Sequence, residues 1–74
     1  MDEKTFSLIR LLIARLERIS ADSVWAHRAS GVRGTLLMSV EKLENGRPVS
    51  KSQLKRLVDL GFLILEKSIM EKYK

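Results

Sequence analysis

Few residues in this chain have the type and spacing to do chemistry, and each set has a simpler structural use. His27 with Arg28 and Arg33 has the composition of an anion site, but at 100° per residue His27 lies well away from both arginines on a helix. A general base also needs a positioned proton donor or acceptor beside it, and no carboxylate or nucleophile is spaced to serve the lone histidine. Ser20, Asp22 and Ser23 are residue types that occur as parts of a hydrolytic triad, but they serve better as caps. They sit between two apolar stripes, where a side-chain oxygen caps a helix by accepting from an orphan amide. Trp25 offers a stacking face for a ligand, yet it opens an apolar stripe and reads as packing between helix ends. Phosphate-loop and dinucleotide fingerprints are absent. The chain has no cysteine, so it has no disulfide framework and no cysteine metal site. The expectation is therefore no catalytic residue, no metal, no cofactor and no small-molecule substrate.

Two stretches have the form of nucleic-acid elements. Gly31-Val32-Arg33-Gly34 matches the GxxG loop that clamps an RNA backbone in KH domains. That loop joins two helices beside a three-stranded sheet, and no strand pattern flanks it here. Helix–helix contact is the better account of the two glycines. The segment from Pro48 to Leu65 resembles the recognition helix of a winged helix-turn-helix, with Lys51, Gln53, Lys55 and Arg56 near its start as candidate nucleic-acid contacts. The resemblance implies base reading from the first residues of that helix and a wing strand after Gly61. The preceding helix is too long for the motif, and Glu66, Ile69 and Tyr73 continue a helical phase where the wing belongs. Nucleic-acid binding is thus the alternative reading.

The elements that must position these residues follow from periodicity. Phe6, Leu8, Ile9, Leu12, Ile13, Leu16 and Ile19 share one broad face of a first helix over about 3–19. Arg10, Arg15 and Arg18 on its other side form a candidate basic rim around Leu11. The apolar phase breaks at Ser20–Ser23, with Ser20 or Asp22 as the expected cap of the next helix. Trp25, Ala29, Val32, Leu36, Val40 and Leu43 make the stripe of a second helix over about 23–44. Ala26, Ser30 and Gly34 form a second line four apart, which predicts close approach of another backbone there. Asn45-Gly46 closes that helix, and Ser50-Lys51-Ser52-Gln53 is a capping box opening a third over about 51–72. Its inward face is predicted as Leu54, Leu57, Val58, Gly61, Ile64, Leu65, Ser68 and Ile69, with Phe62 and Tyr73 extending the flank.

Residues 1–74 therefore predict one domain of the all-α class: a small three-helix bundle, helices two and three an antiparallel hairpin, oligomeric in solution. At this length a core is marginal without help. No apolar run approaches the roughly 20 residues of a membrane span, and the start Met1-Asp2-Glu3-Lys4 is wrong for a secretory signal, so a cytoplasmic protein is expected. The net charge of +5 reads first as solubility charge. What remains is apolar surface outside the stripes: Leu11, Leu60, Leu63 and Met70, with Leu8 and Met38 next. These are the predicted partner interface of a protein that works by association, with a second copy of itself or another helical protein.

Overall fold

The computed structural model describes residues 3–71. Among them are three helices: α1 (Glu3–Glu17), α2 (Ala26–Glu44) and α3 (Lys51–Glu71). They run up, down and up in a bundle of 43 × 18 × 18 Å, and each packs on both others. The all-α class, the three elements and the α2–α3 hairpin are as the sequence predicts.

The core is where the stripes place it. Ile9, Leu12, Ile13 and Leu16 of α1 meet Ala29, Val32, Leu36 and Val40 of α2, and Leu54 and Ile64 of α3. Phe6, Ile19, Trp25, Leu43, Leu57, Val58 and Leu65 pack around it. Fully burying one such side chain is worth about 1.5–3 kcal/mol, so a core of this size leaves a small margin after chain entropy. The two buried serines add no desolvation cost. Ser39 donates to the Thr35 carbonyl at 3.0 Å and Ser68 to the Leu65 carbonyl at 2.8 Å, within their own helices.

The α2–α3 turn is built by local chemistry. Gly46 takes φ +72°, the Arg47 amide donates to the Lys42 carbonyl at 2.8 Å, and the Gly46 amide donates to the Leu43 carbonyl at 3.1 Å. These two bonds form a Schellman motif, which needs a left-handed residue where glycine stands. Ser50 Oγ then accepts from the Gln53 amide at 3.3 Å and caps α3.

The α1–α2 connection differs from expectation. The first helix stops at Glu17 and the second starts at Ala26 rather than near Ser23. Residues 18–25 form tight turns, with the Ser23 amide donating to the Ser20 carbonyl at 2.9 Å and the Ala26 amide to the Ser23 carbonyl at 3.1 Å. Neither Ser20 nor Asp22 caps α2. The cap position is Trp25, which makes no side-chain capping bond. Ser20 Oγ instead accepts from the Asp22 amide at 3.2 Å, and Ser23 Oγ accepts from the Trp25 amide at 3.1 Å. The far end of the chain supplies what is missing. The Glu71 carboxylate accepts from the Ser23 hydroxyl at 2.6 Å and from the Val24 amide at 3.1 Å.

The glycines also differ. Helix α2 is continuous through Gly31 and Gly34, but a Cβ at either would meet nothing within 4 Å, so no backbone approaches them. The tight contact is at Gly61, where a Cβ would lie 2.8 Å from Leu12 Cδ2. It is there that α1 and α3 close on one another.

Candidate functional site

Leu11, Leu60, Leu63 and Met70 are all at least 39% exposed, and so are Leu8 and Met38. They do not form one patch. Leu12 against Gly61 fixes which edges of α1 and α3 meet. A cavity of about 460 Å³ at the same seam is lined by Arg15, Arg18 and Ile19 on one side and Leu65, Ser68 and Ile69 on the other. Helix geometry puts Leu8 on the Arg15 edge of α1 and Phe62 on the Ile69 edge of α3, each at a spacing of seven, while Leu11 points outward, away from the buried face of α1. The mouth of the α1–α3 cleft is therefore rimmed by Leu8 on α1 and by Phe62 and Ile69 on α3.

Leu60 lies elsewhere. It shares an edge with Gln53, which lines a smaller depression between α2 and α3 together with Thr35, Met38, Ser39 and Lys42. That depression is mostly polar. Leu63 and Met70 point straight out from α3, between the charged side chains of Asp59, Glu66 and Lys67. None of the four predicted interface residues stands on the α1–α3 rim.

Two rim residues were misjudged from sequence. Ile69 is expected inside, on the wheel face of Leu65 and Ser68, yet it is 56% exposed. It belongs to the last turn of α3, beyond the end of α1, where no neighbouring helix remains to cover it. Phe62 is 44% exposed rather than a flank of the core. The signal that marks both is their mutual spacing of seven, which makes them one line on α3. Leu8 likewise leaves the predicted core face of α1 for its edge.

Lys4 and Arg15 stand on the α1 side of the cleft, and the α3 side carries Lys51 and Lys55 near its start and Asp59 and Glu66 further along. Among the described residues, the ion pairs are Arg10 with Glu44 at 3.2 Å and Arg33 with Glu17 at 3.5 Å. Both join α1 to α2, on the opposite edge of α1 from Arg15. The expected basic rim of Arg10, Arg15 and Arg18 thus does not exist: Arg10 is engaged across the α1–α2 seam.

The nucleic-acid candidates are exposed but divergent. Lys51 and Lys55 lie on the α1 side of α3, Gln53 on the α2 side, and Arg56 outward. Phe62 is in mid-helix, so no wing strand begins there. The GxxG residues are likewise helical. His27 is exposed, and Arg28 stacks over the Trp25 ring at 5.5 Å. No group of three or more metal-ligating side chains occurs among the described residues, and no described helix is long and apolar enough to cross a membrane. Comparison with protein-family models, with curated proteins and with solved structures finds no match to this chain.

Proposed function

We propose that this chain is a non-enzymatic association module, which works by burying exposed apolar side chains against another protein chain, in first place a second copy of itself. The carrying observation is the amount of apolar surface left in solvent. Among the described residues, 3–71, ten large apolar side chains are 39% exposed or more. Single exposed leucines are ordinary, but several aligned along one cleft are the mark of an interaction surface. The residues Lys51, Gln53, Lys55 and Arg56 at the start of α3 support a nucleic-acid interface less well, because they point three ways and a duplex presents one surface. The cysteine-free sequence accords with work in a reducing compartment such as the cytoplasm.

Sedimentation equilibrium of the purified chain tests the reading. A species of twice the chain mass at micromolar concentration is expected. A monomer at several hundred micromolar overturns it. The same run with added duplex DNA at low salt separates the alternative, which requires a salt-sensitive shift.

A further inference from the structure

The cavity past the end of α1 combines unmatched hydrogen-bond donors with an apolar wall. We propose that it binds a small amphiphilic acid, with the carboxylate held by Arg15 and Arg18 and the hydrocarbon body lying against Ile19, Leu65 and Ile69. The inference goes beyond the association reading and is independent of it.

The cavity exists because α1 stops where α3 does not. α1 ends at Glu17 and the chain turns away through residues 18–25, while α3 runs on to Glu71. The space left between them is about 460 Å³, within the roughly 300–1,000 Å³ of small-molecule sites. Its lining comes from three separate stretches, the end of α1, the turn after it and the last turns of α3, so no single motif reveals it in the sequence.

The charges in the lining favour one anionic group. Arg15 and Arg18 stand one turn apart, with the Arg18 amide donating to the Arg15 carbonyl at 3.1 Å. The ion pairs among the described residues fall on Arg10 and Arg33, and neither Arg15 nor Arg18 has one. Like charges at this spacing repel. A carboxylate between them relieves the repulsion and matches the forked donors of a guanidinium. The two carboxylates of the lining do not fill that role. Glu71 accepts from the Ser23 hydroxyl and the Val24 amide, and Asp22 is exposed and pairs with neither arginine.

The hydroxyls point the same way. Ser23 is spent on Glu71, and Ser68 on the Leu65 carbonyl. Ser20 Oγ accepts from the Asp22 amide, while its own proton goes to no acceptor among the described residues. The donors left over are two guanidinia and one hydroxyl, which suit a group that only accepts. The rest of the wall is apolar: Ile19 and Leu65 are half-buried, and Ile69 is 56% exposed. A bare inorganic anion would leave that wall in water. A neutral hydrocarbon would leave the donors unmatched. An acid with a hydrocarbon body uses both.

The test is a titration of the full chain, labelled with ¹⁵N, with decanoate below its micelle-forming range. Saturable shifts are expected at the amides of residues 18–23 and 65–71 and at the Nε–H signals of Arg15 and Arg18. Half-saturation is expected at about millimolar concentration, the ordinary strength for a ligand of about a dozen heavy atoms. Arg15→Gln and Arg18→Gln should each weaken binding about fivefold, and Ile69→Ser about threefold. All three side chains are exposed, and circular dichroism checks that each variant keeps its helix content. Decan-1-ol should bind at least about tenfold more weakly. Decanol that binds as tightly as decanoate, or binding indifferent to both arginines, overturns the site as an acid site. Shifts centred on Leu8 and Phe62 place the ligand on the exposed rim and overturn it as well, as does the absence of any saturable shift. Sedimentation of the same samples keeps the two readings apart: a dimer without decanoate binding overturns the site alone, and a monomer that binds decanoate overturns self-association alone.

Discussion

At the scale of single residues, the three helical glycines are not alike, and nothing in their local sequence distinguishes them. Gly31 and Gly34 face open space, so replacing either by Ala removes unfolded-chain freedom and improves helix propensity at no packing cost. Each change is expected to stabilise the fold by about 0.5–1 kcal/mol. Gly61 carries the opposite expectation. Its added methyl meets Leu12, a side chain only 1% exposed, with contacts from 2.8 Å. Overpacking of this kind costs about 1–3 kcal/mol, which outweighs the propensity gain. Urea denaturation should therefore order the variants with Gly61→Ala least stable and Gly31→Ala and Gly34→Ala above the unmodified chain. Equal effects at all three would contradict the helix contact at Gly61. Sequence reading places close approach along Ala26, Ser30 and Gly34, because a line of small residues is all it has to go on. Which glycine abuts a neighbour depends on how α1 and α3 are rotated, and that is decided by the whole core.

At the scale of elements, the two inter-helix connections show what a sequence makes legible. The α2–α3 turn is readable because its chemistry is local. The positive φ of Gly46 and the Ser50 cap each act within a few residues. The start of α2 is not readable, because its stabilising partner lies 47 residues away in sequence. The first turn of α2 contains no acidic residue and carries Arg28, which opposes the helix dipole. Glu71 stands at the end of α3, where a negative charge is equally ill placed. Joining the two ends sets the Glu71 carboxylate just ahead of the α2 N-terminus, where negative charge is favourable, and gives it two donors. Glu71→Ala is thus expected to cost about 1–2 kcal/mol and to act locally. Amide exchange at Val24 and in the first turn of α2 should accelerate, while the Leu36 to Leu43 stretch keeps its protection. An unchanged rate at Val24 would show that the clamp contributes nothing.

At the scale of the whole molecule, ten buried apolar core residues stand beside ten exposed large ones among the described residues, so on the proposed reading folding and association are linked. A domain of this size buries only about 60% of the surface its unfolded chain exposes, and a partner chain would cover part of what is left. If folding is completed by pairing, mass action makes the thermal midpoint depend on protein concentration. The fold class and the helix limits around the second turn follow from periodicity and capping. The exposed rim of the α1–α3 cleft follows only after the bundle fixes which edge of each helix meets which, since Ile69 adjoins Ser68 in the last turns of α3 and differs in what stands opposite. A chain of this length unfolds with an entropy of about 0.15 kcal/mol/K per copy. A hundredfold rise in concentration adds about 2.7 kcal/mol per dimer, which raises the midpoint by roughly 5–10 °C. Differential scanning calorimetry from 5 µM to 500 µM reads this directly. For Leu8→Glu with Phe62→Glu the expected midpoint is lower and independent of concentration. A midpoint that stays fixed across that range in the unmodified chain would mean that the exposed rim of the cleft contributes nothing to its stability.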